Sequence, residues 1–371
     1  MRAVETPVVA LAPSAGVPVP RGKGTRGALS NASGRFEKTT RCYDGDDWDP
    51  LEDLPPLRTL VTRESAKTII TRNVSPDISF DQSINPYRGC EHGCVYCFAR
   101  PTHAYLGLSA GLDFETRLFS KTNAASLLER ELSAPGYAVK TIAIGTNTDP
   151  YQPIERKERV MRQVLEVLAR ANHPVAIVTK SALVLRDLDL LAPMAEKGLV
   201  KVALSVTTLD SILARRMESR ASSPGRRLGA IQHLAEAKIP TAVLAAPIIP
   251  GLNDIEIEAI LNRAHAAGAR EAGYVLLRLP LEVRDIFIEW LSAHYPDKCK
   301  RVLSLMRGAR EGKLYDARFG RRMTGAGPYA WMIGRRFQAA VARLGFAAAR
   351  TPLCQDLFVP PMRQGEQLKL F

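Results

Sequence analysis

The sequence predicts an α/β protein built around a curled, incomplete barrel of six parallel strands, with a helix after each strand. Short β-rich runs alternate six times with amphipathic runs between about residues 78 and 295, and parallel neighbours need such crossover helices. Runs such as Val175–Thr179 and Thr241–Ile248 are almost wholly apolar, which is typical of strands covered on both faces. A doubly wound open sheet is the alternative. Both architectures place the active site at the carboxyl ends of the strands.

The individual elements follow from the period of the apolar residues. The predicted strands are Ile78–Ile84, Thr141–Gly145, Val175–Thr179, Val200–Val206, Thr241–Ile248 and Tyr274–Leu277. The predicted helices are Ala124–Leu132, Lys157–Ala171, Leu183–Met194, Arg227–Ala237, Ile255–Ala267 and Val283–His294. The helix Lys157–Ala171 is the clearest, because its apolar residues recur at the spacing of one helix face: Val160, Met161, Val164, Val167 and Leu168.

Composition divides the chain into four predicted regions. Residues 1–60 are rich in Pro, Gly, Ser and charge and lack a sustained period, so we expect a flexible N-terminal arm. Residues 61–295 contain the predicted barrel. Residues 296–350 are predicted to form a basic helical extension that also carries aromatic residues. Residues 351–371 are interrupted by prolines and are predicted to form an extended tail.

The composition favours a cytoplasmic protein that binds nucleic acid. The 371 residues carry a net charge of +13, with 46% hydrophobic and 24% charged residues, which are ordinary globular values. No apolar run is long enough to span a bilayer, and four prolines interrupt the first twenty residues, so we expect no membrane contact and no secretory signal. Between Pro296 and Arg350, 13 Lys and Arg face 3 Asp and Glu. This local excess favours DNA or, second, RNA as the partner.

Three of the six cysteines, Cys90, Cys94 and Cys97, lie within eight residues directly after the first predicted strand. In a reducing compartment so tight a group indicates metal binding rather than disulfides. Three thiolates on one loop can hold three irons of a cubane and leave the fourth iron open. The alternative is a zinc knuckle whose fourth ligand is His92 or His103.

The spacing C-x3-C-x2-C, with Tyr96 before the last cysteine, resembles the defining motif of the radical S-adenosylmethionine (SAM) superfamily. The resemblance implies a 4Fe-4S cluster on Cys90, Cys94 and Cys97, whose open iron chelates the amino and carboxylate groups of SAM. One electron, from a donor such as flavodoxin or ferredoxin, then cleaves SAM to methionine and a 5′-deoxyadenosyl radical. Tyr96 is expected to lie against the adenine. A non-enzymatic zinc-containing nucleic-acid adaptor is the competing hypothesis.

Polar residues at the ends of the predicted strands are the candidate SAM contacts. They are Thr146, Asn147, Thr148 and Asp149 after the second strand, Lys180 after the third, Ser205 in the fourth and Asn253 after the fifth. The first group suits the methionine end of SAM, although Asp149-Pro150 is also typical of a turn. Lys180 suits the SAM carboxylate or a solvated rim, and Asn253 suits the nucleoside. Glu218 and Arg220 belong either to a phosphate-facing loop or to an exposed basic turn.

Two longer segments, Ser83–Cys97 and Thr148–Glu155, are similar to spore photoproduct lyase and its DNA repair photolyase-type relatives. The segment Ala99–Glu115 further resembles an uncharacterised subgroup of these proteins. The resemblance implies repair or modification of DNA, by lyase or hydrogen-abstracting chemistry; a peptide or small metabolite is the alternative substrate. Spore photoproduct lyase carries a hydrogen-donating cysteine near the end of its second strand, but Ile144–Pro150 has none. Cys299, Cys354 or a tyrosine are the candidate substitutes, and no catalytic residue is assigned.

The last five residues, QLKLF, resemble the peptide by which bacterial polymerases and repair proteins bind the DNA sliding clamp. Gln367 would fix the register by hydrogen bonds, and Leu368, Leu370 and Phe371 would fill apolar pockets. Packing of this apolar end on its own domain is the alternative.

Overall fold

A computed structural model describes residues 26–38, 57–349 and 351–361 of the chain. The strands in these residues are β1 Leu60–Glu64, β2 Ile70–Arg72, β3 Gln82–Ile84, β4 Tyr87–Arg88, β5 Arg117–Lys121, β6 Ile142–Ile144, β7 Val175–Thr179, β8 Val200–Ser205, β9 Thr241–Ile248 and β10 Glu271–Leu276. The α-helices are α1 Asp113–Thr116, α2 Ala124–Leu132, α3 Glu155–Glu158, α4 Val160–Arg170, α5 Leu188–Glu196, α6 Ser211–Met217, α7 Pro224–Glu236, α8 Ile257–Ala266, α9 Val283–His294, α10 Pro296–Gly308 and α11 Pro328–Leu344.

The main sheet has the strand order β10-β9-β8-β7-β6-β3-β2. The six strands from β3 to β10 stand in chain order and pair in parallel, while β2 pairs antiparallel at the edge. A doubly wound sheet would reverse its strand order at a switch point, and this sheet does not. The predicted partial (βα)6 barrel is therefore confirmed, and the doubly wound alternative is wrong.

The strands form because their alternate side chains fill a core that the helices close. Ile177 of β7, Val202 of β8 and Val243 of β9 are almost completely buried, and Val164 and Leu168 of α4 pack into the same core. Burying one such side chain stabilises the fold by roughly 1.5–3 kcal/mol. β7 and β9 have the predicted bounds.

Local backbone geometry changes two predicted elements. The helix predicted at Lys157–Ala171 is divided at Arg159, whose left-handed φ of 54° ends α3 before α4 begins. The first predicted strand begins at Gln82 rather than Ile78, because the side chain of Asn73 holds the preceding residues in a turn. Its oxygen accepts a hydrogen bond from Ser75 N at 2.9 Å, and its amide nitrogen donates to Phe80 O. A small sheet, with the order β1-β5-β4, was not predicted; β1 is mostly exposed and gives no strong periodic signal.

The structure differs from the predicted flexible arm at residues 26–38, which lie against the barrel. The backbone N–H groups of Gly27 and Ala28 donate to the Glu115 carboxylate at 2.8 Å each, and Ala28 is buried. Buried N–H groups need such an acceptor, which fixes this part of the chain. Most of the remaining arm lies outside the described residues.

Residues 351–361 cross the amino-terminal end of the barrel without helix or strand. Thr351 N bonds Glu271 at the start of β10, and Cys354 N bonds Gly198 O just before β8. Val359 N then bonds Ala171 O before β7. The clamp-like peptide Gln367–Phe371 lies outside the described residues. Among the helices that the structure describes, none has the length and apolarity required to span a membrane.

Candidate active site

The three clustered cysteines lie on one loop that follows β4. Cys90 N bonds Phe114 O at 2.9 Å, and Cys97 N bonds Cys94 O at 3.2 Å. All three are free thiols; Cys90 and Cys94 are buried, and Cys97 packs against the apolar surroundings of both. Burial raises the pKa of Cys90, and Asp149 and the other two thiols raise it further. The donor set and its common loop fit an iron–sulfur cluster.

Gly93 is required for the close packing of this loop. Its φ of +65° lies in the left-handed region, and a Cβ there would come within 2.7 Å of Glu115 Oε2. Only glycine meets both conditions.

The two histidines proposed as zinc ligands have other partners. His103 Nε2 lies 2.8 Å from Arg117 O and its ring packs edge-on against Phe114, while His92 Nδ1 lies 3.3 Å from Asp149 Oδ2. In the described part of the chain, no three Cys, His, Asp or Glu side chains converge closely enough to hold a single metal ion. A cubane instead takes its thiolates on three separate irons.

Asp149 joins the ends of β6 and β7 to the cysteine loop. Its Oδ1 accepts bonds from Thr179 Oγ1 at 2.7 Å and from Tyr151 N at 2.9 Å, and its Oδ2 accepts from Lys180 N at 2.8 Å. Burial alone would raise the pKa of Asp149, but His92, Thr179 and the Lys180 N–H together lower it to about 2. This ionised carboxylate therefore braces the site.

The other residues after β6 are held by Asn85. Asn147 N donates to Asn85 Oδ1 at 2.9 Å, and Asn85 Nδ2 approaches Thr146 Oγ1 at 3.4 Å. Thr148 is buried and donates to Tyr87 O at 3.2 Å. Thr146 and Asn147 stay half-buried, so their side chains remain accessible at the strand end.

Tyr96 is anchored by a buried network at the end of β8. Its hydroxyl donates to Glu218 and lies 3.2 Å from Thr207 Oγ1, which itself donates to Glu218 at 2.6 Å. Glu218 also pairs with Arg227, and both are 2% exposed or less. The Lys180 ammonium lies 5.8 Å from the centroid of the Tyr96 ring. Lys180 and Tyr96, predicted separately, are thus brought together.

Both predictions for Glu218, a phosphate-facing loop and an exposed basic turn, are wrong. Its carboxylate is buried and forms an ion pair with Arg227 on α7. Arg220 is one-third exposed and lies 3.3 Å from Glu91 in the cysteine loop.

Asn253 and Ser205 sit at the strand ends but brace the backbone. Asn253 Nδ2 donates to Thr207 O at 2.7 Å and to Pro247 O at 3.0 Å, and its Oδ1 accepts from Ile249 N at 2.6 Å. These bonds use both Nδ2 hydrogens, which disfavours the predicted contact to a nucleoside. Ser205 is buried, and its carbonyl accepts from Arg227 Nη1 at 3.0 Å.

Sequence reasoning missed Gln152. Its side chain is fully buried, donates to Gly89 O at 3.1 Å and accepts from Glu91 N at 2.8 Å. It thereby fixes the start of the cysteine loop from both sides of Cys90. Its place within Thr148–Glu155 was the available signal.

A second brace, also missed, is the pair Arg100 and Glu115, both fully buried. Arg100 Nε donates to Cys94 O at 2.8 Å, and its Nη1 donates to Ala110 O at 2.9 Å and Gly111 O at 2.8 Å. The two residues stand near the two ends of the segment Ala99–Glu115, which is the sequence signal that could have revealed them.

The two cysteines considered as hydrogen donors lie at opposite ends of the barrel, and Cys299 packs against the apolar cluster that contains Cys94 and Tyr96. Cys354 is at the amino-terminal end of the barrel, where its N–H bonds Gly198 O, because the tail crosses that end. It is therefore excluded as the donor. Cys299 lies on α10, with its Sγ 3.5 Å from Ser292 Oγ of α9. The position of a donor tyrosine stays unassigned.

Comparisons with known proteins agree with this arrangement. The profile of the radical SAM superfamily matches residues 84–264. An uncharacterised protein of Mycobacterium tuberculosis is 39% identical over 232 residues, 62% of this chain and 68% of that protein. An uncharacterised protein of Methanocaldococcus jannaschii is 28% identical over 173 residues, 47% of this chain and 62% of that protein.

The fold also matches solved structures of spore photoproduct lyase. One, complexed with dinucleoside spore photoproduct, has a TM-score of 0.54 and 15% identity over 76% of this chain and 79% of that chain. A mutant with bound AdoMet and dinucleoside spore photoproduct has a TM-score of 0.50 and 15% identity over 76% and 78%. The zinc-containing adaptor hypothesis is thereby replaced. The cofactors of the radical SAM superfamily are a 4Fe-4S cluster and SAM. The chain belongs to this superfamily and is a radical SAM enzyme with the fold of spore photoproduct lyase.

Proposed function

We propose that Cys90, Cys94 and Cys97 hold the 4Fe-4S cluster and that the chain acts on nucleic acid, with DNA the first candidate. The cluster proposal is supported by three free thiols on one loop, which Gln152 and Arg100 brace. When bound, the cluster and SAM supply hydrogen-atom abstraction from a substrate. The protein's contribution is to hold SAM in register and to exclude water.

We further propose where SAM lies. Lys180 meets the SAM carboxylate, since its ammonium reaches over Tyr96 beside the cysteine loop. Thr146 and Asn147 keep accessible polar groups for the methionine end, and Tyr96 provides the surface for the adenine. The remaining predicted contacts act mainly by fixing the strand ends; these are Thr148, Asp149, Ser205 and Asn253.

One observation supports the proposal of a nucleic-acid substrate, namely the basic face of helix α10. Lys300, Arg301 and Arg307 are exposed on one side of this helix, and none forms an ion pair with a residue that the structure describes. Cations without an ion-pair partner attract phosphates, and binding releases the counterions that had neutralised those phosphates.

This basic face lies at the active-site end of the barrel. α10 packs against Gly251, just after β9, so closely that a Cβ on Gly251 would come within 2.9 Å of Leu305 Cδ1. On α11, Trp331 is 69% exposed, with the Arg335 guanidinium 6.0 Å from its ring centroid. An exposed ring beside cations is a surface on which a base can stack.

The cluster proposal is tested by anaerobic reconstitution with iron and sulfide, followed by reduction in the presence of SAM. We expect about four irons per chain and formation of 5′-deoxyadenosine. Cys94→Ala should lose most of both, because only two thiolates remain, whereas Cys354→Ala at the other end of the barrel should lose neither. Bound zinc in place of iron, or equal behaviour of the two variants, would contradict the proposal.

The nucleic-acid proposal is tested by fluorescence anisotropy with labelled DNA. Replacing Lys300, Arg301 and Arg307 by Gln should flatten the plot of log affinity against log salt by about two to three units, because each lost phosphate contact contributes nearly one. An unmodified chain that binds neither DNA nor RNA would instead favour a peptide or small-metabolite substrate.

We propose further partners and a location. A flavodoxin or ferredoxin would supply the electron, which suits a cytoplasmic enzyme. Gln367, Leu368, Leu370 and Phe371 would bind the DNA sliding clamp. Residues 351–361 of the same tail cross the amino-terminal end of the barrel, with Ser133 Oγ donating to Pro361 O at 2.6 Å. Clamp binding from that end would leave the cysteine loop accessible to DNA.

A further inference from the structure

Two arginines meet at the carboxyl end of the last barrel strand. Arg278 follows β10 and is half-buried, whereas Arg310, after α10, is 1% exposed. Arg310 Nη2 donates to Leu277 O at 2.5 Å, which holds it one residue from Arg278 along the strand end. Burial and the neighbouring charge of Arg278 lower the pKa of Arg310, against the smaller raising effect of Asp316 and Tyr315. Two like charges are thus held together at the rim of the active site.

Among the residues that the structure describes, Arg278 has only weak partners. Its Nη1 donates to the Met323 thioether at 3.5 Å, and its guanidinium lies 5.1 Å from the centroid of the Phe98 ring. Its buried Nε has no hydrogen-bond partner among the described residues, and the same holds for Arg310 Nε. A guanidinium offers five donors, and buried donors left without acceptors are unfavourable. An anion at Arg278 would relieve this cost and the repulsion between the two arginines.

The site adjoins the cysteine loop. Phe98 directly follows Cys97 and is 47% exposed. Leu277 and Leu279, on either side of Arg278, pack in the same apolar cluster as Cys94 and Tyr96. A ligand held by Arg278 and Phe98 therefore lies beside the reacting centre. An aromatic ring next to a guanidinium suits a base joined to a phosphate better than it suits a carboxylate alone.

We propose that Arg278 and Phe98 form the substrate-recognition site, in which the guanidinium binds a phosphodiester and the ring stacks on the adjoining base. The proposal rests on the proposed function, since it requires a nucleic-acid substrate. Arg310 strengthens the positive potential but is too buried to touch the ligand.

The test measures binding of a short fluorescein-labelled single-stranded DNA over a range of salt. Arg278→Gln is expected to weaken binding roughly tenfold, as loss of a charge-assisted bond does, and to reduce the salt slope by about 0.7. Phe98→Leu keeps an apolar side chain and should weaken binding several-fold with the salt slope unchanged. Arg170→Gln, which removes an exposed arginine at the far end of α4, is the matched control and should bind as the unmodified chain does.

The outcomes separate this inference from the proposed function. If the unmodified chain binds no nucleic acid, the proposed substrate is wrong and the inference fails with it. If the unmodified chain binds DNA while Arg278→Gln binds equally well, the inference alone is overturned. Calorimetry with SAM shows whether the anion at Arg278 is a nucleic-acid phosphate or the carboxylate of SAM. Weaker SAM binding by Arg278→Gln would show that the guanidinium serves the SAM carboxylate, which also overturns it.

Discussion

Arg100 carries a positive charge in a place that water does not reach. A buried ion pair repays its desolvation only when hydrogen bonds satisfy the remaining donors, and Arg100 meets this condition through Cys94 O, Ala110 O and Gly111 O in addition to Glu115. The two residues thus connect the cysteine loop to residues 27 and 28.

Arg100→Gln should therefore destabilise the protein and its cluster together. We expect a loss of about 3 kcal/mol in the free energy of unfolding, because the substitution leaves Glu115 charged and buried without its cation. Iron retained after reconstitution should fall as well, since the Cys94 carbonyl loses its donor. Denaturant titration and iron analysis measure the two effects.

Arg117→Gln provides the matched control for this prediction. Arg117 is about half exposed and lies 3.6 Å from Asp113, so its loss should cost at most about 1 kcal/mol. Equal destabilisation by the two variants would mean that the buried network has no special role.

At the scale of the elements, periodicity predicted the strands but not the contacts between side chains. β7 and β9 have the predicted bounds because buried parallel strands need unbroken apolar runs. The division at Arg159 depends on a single backbone angle, which no apolar period records. β1 was missed because its side chains are mostly exposed, and its pairing with β5 joins distant parts of the chain.

In the candidate site, too, the sequence predicted positions along the chain better than contacts between side chains. The positions of its cysteines were predictable because their spacing is local, and the positions of Lys180 and Asp149 because they follow strands directly. The bonds that make Asp149 a brace were not predicted. Asn253 had the right residue type and position, yet its amide is used by three backbone groups. Arg278 gave no signal, since its significance comes from the lack of strong partners around it in three dimensions.

At the scale of the whole molecule, the two ends of the barrel have different tasks. Polar side chains, the cysteine loop and residues 26–38 gather at the carboxyl ends of the strands. Residues 351–361 cross the amino-terminal end, where Phe358 packs against Tyr137 and His173. Stability contributed by the tail should therefore be separable from the chemistry of the site.

Phe358→Ala should weaken the tail and reveal a pH-dependent contribution from His173. Burial lowers the pKa of His173 from 6.5 to about 4, so the unfolded chain binds more protons below pH 6.5 and stability falls as the pH drops from about 6.5 towards 4. His103, whose pKa is also lowered by burial, adds to this loss.

Removing the Phe358 ring lets water reach His173, and a half-buried Phe contributes roughly 1–2 kcal/mol. We therefore expect Phe358→Ala to be less stable at pH 7.5 and to lose less stability than the unmodified chain between pH 7.5 and pH 5.

Leu357→Ala, at the exposed neighbouring position, should keep the full pH dependence. Formation of 5′-deoxyadenosine should be the same in all three proteins, because the tail and the cysteine loop lie at opposite ends of the barrel. Unfolding titrations at the two pH values decide the matter, and a pH dependence that Phe358→Ala leaves unchanged would contradict the role given to His173.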